Sequence, residues 1–221
     1  MVRVKICGIT NFEDALASVA AGAHALGFNF YSQSPRYIEP IQARRIIEQL
    51  PASVLSVGVF VNEPDAKQVQ RLATEARVQA IQLHGDEPPS YCGELKDFFV
   101  IKAFRVNYDF QPEQAAQYDA DAILLDGFCA QAYGGTGQSF DWTIAVRTRL
   151  LVTKLFLAGG LNADNVGAAI ASVQPYGVDA CSALERVPGR KDLTRVRAFI
   201  QAARAADIAP QPTEQRGLKN G

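Results

Sequence analysis

The chain has only two histidines, His24 and His84, and neither belongs to an H-x-x-x-H spacing or a Cys/His cluster. A dedicated metal centre is therefore not expected. Its cysteines, Cys7, Cys92, Cys129 and Cys181, lie far apart with no C-x-x-C pair, which argues against a disulfide framework and for reduced thiols. No stretch is long and apolar enough to span a bilayer. No apolar leader precedes Val2-Arg3-Val4-Lys5, where strand-like sequence starts at once, so the expected address is the cytoplasm, or an organelle reached after removal of a leader. Neither sign of charge is in excess: 22 Lys and Arg against 23 Asp and Glu leave a net charge of −1. That balance excludes nucleic acid and anionic membrane surfaces as expected partners. What remains is 221 residues, 48% hydrophobic and 20% charged, enough for one globular domain with a large core.

Strand-like runs occur at Val2–Ile6, Ala25–Phe28, Leu55–Phe60, Ala80–Leu83, Phe99–Ala103, Ala122–Leu125, Lys154–Leu157 and Val178–Ala180. Helical patterns alternate with them. Thr10-x-x-Glu13 reads as a capping box opening a helix whose apolar face carries Leu16, Val19 and Ala20 and which stops at Gly22. Later stripes are Ala66, Val69, Leu72, Ala73 and Ala76, then Val166, Ala169, Ile170 and Val173, and last Leu193, Val196, Ile200 and Ala203. Most of the strands are too apolar to have a wet face, which predicts a closed parallel sheet ringed by helices, the (β/α)₈ barrel. A doubly wound open sheet is the rival, but Cys7-Gly8-Ile9-Thr10 after the first strand is no dinucleotide fingerprint. The predicted barrel domain covers residues 1–206. Residues 207–221, polar and Pro-rich, read as a mobile tail.

In such a barrel the chemistry gathers where strands end. Cys7 ends the first strand and, with Asp126 ending the sixth, suggests a base and an acid over one pocket. Alternatively Cys7 is a buried structural thiol, and Asp126-Gly127 a turn pair. Lys5 shares the face of Cys7 and can lower its pKa, or pair with a neighbouring carboxylate, or both. An acid acting at neutral pH needs its pKa raised by burial or negative charge, which predicts an enclosed Asp126.

Gly159-Gly160, ending the seventh strand, and Cys181-Ser182-Ala183, after the eighth, suit a phosphate cradle, although a Gly pair is more often a plain turn. Arg36, behind Pro35, suits a substrate carboxylate if it is not merely exposed. His84 reads as a substrate contact or a loop support. Gly135, within Gly135-Thr136-Gly137, reads as part of a loop over the substrate or as a simple turn. Cys92 and Cys129 read as structural.

Several motifs together resemble phosphoribosylanthranilate isomerase of tryptophan biosynthesis: Lys5-Ile6-Cys7-Gly8-Ile9-Thr10, Ser34-Pro35-Arg36-Tyr37, Gln82-Leu83-His84-Gly85, Leu124-Leu125-Asp126, Gly134-Gly135-Thr136-Gly137 and Leu157-Ala158-Gly159-Gly160-Leu161. The resemblance implies an Amadori rearrangement of N-(5-phospho-β-D-ribosyl)anthranilate without metal or organic cofactor, with Asp126 as general acid and Cys7 as general base. It also implies that Arg36 holds the anthranilate carboxylate and that amides near Gly160 and Ser182 hold the phosphate. The expected partner is this small molecule alone, and the chain a monomer or homodimer.

One departure stands out. The family's eighth loop usually reads Asp-Val-Ser-Ser-Gly-Val-Glu, whereas this chain has Asp179-Ala180-Cys181-Ser182-Ala183-Leu184-Glu185. A hydroxyl is lost at Cys181, and Ala183 replaces a glycine. The expected cost falls on KM rather than on the reaction. The related histidine-pathway isomerase is the nearest enzyme rival, but it uses an aspartate where Cys7 stands. A non-catalytic sugar-phosphate-binding barrel is the rival of another class.

Overall fold

The computed structural model describes residues 1–127 and 142–208. Eight parallel strands close into a barrel in sequence order: β1 (Arg3–Ile6), β2 (Ala25–Asn29), β3 (Leu55–Phe60), β4 (Ala80–Leu83), β5 (Phe99–Val106), β6 (Ala122–Gly127), β7 (Leu155–Ala158) and β8 (Gly177–Ala180). Between them run α1 (Phe12–Ala21), α2 (Pro40–Ile47), α3 (Ala66–Ala76), α4 (Pro89–Gly93), α5 (Pro112–Ala115), α6 (Trp142–Arg149) and α7 (Val166–Val173). The predicted (β/α)₈ fold is the observed one. The final helix, α8 (Leu193–Ile208), packs against α1 and α7, and residues 209–221 lie outside the described residues.

The strands are apolar on both sides because both sides are buried. One set of side chains, including Ala25, Val57, Ala80, Ile101, Leu124 and Phe156, fills the barrel. The alternate set, including Ile6, Phe28, Ile81 and Leu157, meets the helices. The stripes on α3 and α7 lie inward as expected: Val69, Ala73 and Ala76, like Val166, Ala169 and Val173, are buried. At roughly 25 cal/mol per Å² of apolar surface, this two-layer burial is the main favourable contribution to the fold.

Helix α1 departs from expectation by one residue. Asn11, not Thr10, caps it by accepting from the Asp14 amide at 2.9 Å, while the Thr10 hydroxyl donates to the Gly189 carbonyl. The buried face is accordingly Asp14, Ala15 and Ser18, and Leu16 is 47% exposed. Asp14 tolerates burial because its carboxylate accepts from the Lys191 amide at 2.8 Å and from Asn11 Nδ2 at 2.7 Å. A further element was not expected: after β8, a 3₁₀ turn (Ser182–Leu184) leads into a two-stranded hairpin, β9 (Glu185–Val187) and β10 (Arg190–Lys191). It folds Glu185 and Lys191 back over the strand ends.

Candidate active site

Parallel pairing of β1 with β8 sets Lys5 beside Asp179 and Ile6 beside Ala180. Lys5 Nζ, fully buried, lies 3.0 Å from Asp179 Oδ1. Burial pushes Asp179 up to about 6, against the pull of the lysine. Burial works against the Lys5 charge too, but Asp179 and Cys7 together hold the ammonium above its ordinary range. Lys5 pairs with the Asp179 carboxylate and lies close to Cys7. Gly27 on β2 makes room for them: a Cβ there would lie 2.7 Å from Cys7 Sγ and 3.1 Å from Lys5 Nζ.

One step above this pair, the Cys7 amide donates to the Ala180 carbonyl at 2.9 Å, and the Cys7 thiol meets that of Cys181. The hydrogen bond from Cys181 is the largest influence on Cys7 and, with Lys5 and Lys191, holds it well below the ordinary thiol range despite burial. The same bond, followed by burial, pushes Cys181 up. Of the two thiols, Cys7 is the one whose ionisation its surroundings favour. Lys191 Nζ stands 3.9 Å from Cys181 Sγ and 3.0 Å from Glu185 Oε1. Glu185 also receives Arg36, through Nε at 2.9 Å and Nη2 at 2.7 Å. Arg36 is therefore clamped along one edge rather than free in solvent.

Across the barrel mouth, Asp126 is the fifth residue of β6 rather than the start of a turn. Its carboxyl is 36% exposed, not enclosed as expected among the described residues, and its Oδ2 lies 3.3 Å from His84 Nε2. Gly159 and Gly160 both take left-handed backbone (φ +87° and +67°). A Cβ at Gly159 would lie 2.3 Å from the Gly127 amide nitrogen, so only glycine lets the end of β7 pack against the residue after Asp126. Asn162 then caps the turn before α7, its side chain accepting from the Asp164 amide at 2.8 Å. Ala183 sits in the 3₁₀ turn and is not among the left-handed residues, so no glycine is required there.

Cys7, Arg36, His84, Asp126, Gly159, Gly160, Cys181, Ser182 and Ala183 all border one cavity of about 270 Å³. Lys5 lies beneath Cys7, outside its lining, and Gly135 and Cys129 lie outside the described residues. Cys92 is buried on α4, its thiol pushed up to about 11 by burial. A larger cavity, about 540 Å³, opens beside β5. Its buried cation, Lys102, is already paired with Glu87 at 2.6 Å, and the smaller cavity is where an acid and a base converge. Among the described residues, no three His, Cys, Asp or Glu side chains gather as metal ligands would.

The family model described as N-(5'phosphoribosyl)anthranilate (PRA) isomerase matches residues 4–202. The chain belongs to this family. It is 50% identical over 204 residues to the N-(5'-phosphoribosyl)anthranilate isomerase of Geobacter sulfurreducens, covering 92% of this chain and 99% of that one. The phosphoribosyl anthranilate isomerase of Thermotoga maritima superposes with a TM-score of 0.86 at 46% identity, over 93% of this chain and 100% of that one. Another solved phosphoribosyl anthranilate isomerase, 44% identical with a TM-score of 0.83 over 93% of this chain and 100% of that one, is a complex with reduced 1-(o-carboxyphenylamino)-1-deoxyribulose 5-phosphate.

Within this isomerase fold, Glu185, Lys191, Asp179 and Gln82 complete the site and were not singled out from the sequence. Two had a readable signal. Gln82 and Asp179 are polar residues in strands that are otherwise apolar, at positions facing the barrel interior. Glu185 matches the closing Glu of the family's eighth loop without showing what it binds, and Lys191 had no signal, because the hairpin that carries them is too short and too charged to show a pattern.

Proposed function

We propose that this cavity carries out the rearrangement of N-(5-phospho-β-D-ribosyl)anthranilate to 1-(2-carboxyphenylamino)-1-deoxy-D-ribulose 5-phosphate. The observation that carries the assignment is the placement of a thiol, Cys7, and a carboxyl, Asp126, on one cavity beside a clamped guanidinium and a glycine turn. Asp126 protonates the furanose ring oxygen. The bond from that oxygen to C1 breaks while the anilino nitrogen's lone pair forms the C1–N double bond of a Schiff base. Cys7 then removes the C2 proton, and those electrons flow toward the nitrogen to give an enolamine. Tautomerisation, with proton uptake at C1 and loss from the C2 hydroxyl, yields the ketone. No atom is gained or lost, and the substrate nitrogen is the electron sink.

Arg36 faces the anthranilate carboxylate, and Gly159, Gly160 and the turn at Cys181, Ser182 and Ala183 face the phosphate. Proton transfer by an acid at the ring oxygen and by a base at C2 gives a use to a lysine buried beneath the thiol. A barrel that only bound sugar phosphates would have no use for that arrangement. We place the enzyme in the cytoplasm as a single barrel domain over residues 1–206. It acts on a small-molecule substrate and forms either a monomer or a homodimer, a question that sedimentation would decide. The test of function is fluorescence loss from freshly prepared phosphoribosylanthranilate. Rapid loss with the parent and almost none with Asp126→Asn supports the reading, and equal loss with both contradicts the acid role.

A further inference from the structure

Gln82 is the polar member of the buried strand β4 and is 1% exposed. It borders the same cavity as Asp126. Its Nε2 lies 2.9 Å from Nδ1 of His84, two residues further along the chain. With its NH₂ turned toward the ring, Gln82 can only donate, so Nδ1 accepts and the ring hydrogen is left on Nε2. That nitrogen is 3.3 Å from Asp126 Oδ2. Among the described residues, Gln82 Oε1 is buried with no hydrogen-bond partner. An unpaired buried acceptor is unfavourable, and an apolar side chain of similar size would fill the position without it. What the amide adds is its bond to His84.

We propose that Gln82 is a positioning residue for the acid: it fixes the hydrogen of His84 on Nε2 and directs it at Asp126 Oδ2, leaving Oδ1 to carry the proton to the substrate. As that proton leaves, negative charge builds on the carboxyl. A ring N–H already standing 3.3 Å from Oδ2 can close into a charge-assisted hydrogen bond at that moment, with little reorganisation. The proposal rests on the acid role of Asp126 and goes beyond it by naming what orients the carboxyl.

The two histidines make a direct test practical, because a ¹⁵N spectrum of histidine-labelled protein contains only His24 and His84. His24 Nδ1 accepts from the Val4 amide at 3.1 Å and serves as an internal reference. For His84 in the parent, the expected pattern is an unprotonated Nδ1 and a protonated Nε2. In Gln82→Glu the new carboxylate accepts from Nδ1, so Nδ1 is expected to become protonated. Both Gln82→Glu and Gln82→Leu are expected to lower kcat about tenfold, short of the roughly 10²–10⁴-fold of losing an acid or base outright, with a much smaller change in KM.

A proton on Nδ1 of His84 in the parent would overturn the proposal, as would parent-like kcat in Gln82→Leu. The spectrum of the parent decides the first point even if a variant fails to fold. Parent-like turnover in Asp126→Asn would remove the acid role itself, while the spectrum would still report whether Gln82 orients the ring.

Discussion

Arg36 donates to both carboxylate oxygens of Glu185, with its Nη2 2.7 Å from Oε2, and Lys191 reaches the same carboxylate at 3.0 Å. One buried acid therefore holds the guanidinium that borders the cavity. Burial alone would raise the Glu185 pKa, but Arg36 and Lys191 bring it below the ordinary carboxylate range. Glu185→Gln leaves Lys191 buried without its counter-charge and should lose about 3–5 kcal/mol of stability, with KM raised more than kcat is lowered. The sign with pH follows from linkage. A folded pKa below the unfolded value of ~4.3 gives stability that is present above that value and lost as pH falls through the folded one. Urea titrations of parent and variant should therefore converge as pH is lowered through that range.

Cys7 must be ionised to act as a base. Hydrogen bonding from Cys181, then Lys5 and Lys191, holds it below the free thiol value of ~8.5. The acid-side limb of kcat/KM should then lie below that value, with activity falling as pH falls through it. Cys181→Ala and Lys5→Met each remove a partner of the thiolate and should move the limb to higher pH. An unmoved limb in both would detach Cys7 from its neighbours.

The same ionisation predicts selective chemistry. Iodoacetamide at pH 6.5 should alkylate Cys7, since the thiolate is the reactive form. Cys92, pushed up to about 11 by burial, should remain untouched. Peptide mapping by mass spectrometry separates the two.

Gly159→Ala would place a methyl 2.3 Å from the Gly127 backbone, at a φ of +87°. Strain of this kind costs about 1–3 kcal/mol, and here it presses on the residue that follows Asp126. The expected result is lower thermal stability together with a loss of kcat. A variant with the parent's turnover would mean that the ends of β6 and β7 are not held as tightly as they are packed.

Much of the barrel is readable from the chain because burying a strand on both faces forces a nearly unbroken apolar run, and Ala122-Ile123-Leu124-Leu125 and Ala80-Ile81-Gln82-Leu83, alternating with helical stripes, fit that pattern. Reading the strand ends as the chemical rim placed Cys7, Arg36, His84 and Asp126 on the cavity they border. Helix α1 misled by one residue, because Asp14 is buried by two hydrogen bonds that no hydrophobic pattern records. Cys181 read as part of the phosphate loop alone. That it meets Cys7 depends on β8 lying beside β1, a pairing between the two ends of the barrel. The hairpin carrying Glu185 and Lys191 is held by charge pairs and not by periodicity, so local sequence was silent there.

The most direct measurement is single-turnover rearrangement with Cys7→Ser beside the parent, run in D₂O with the product examined by NMR. Proton uptake from solvent at C1 predicts one deuterium there in the parent's product, and removal of the C2 proton by Cys7 predicts a rate about 10²–10⁴-fold lower in the variant. A Cys7→Ser enzyme that rearranges its substrate at the parent's rate would contradict the account at its centre.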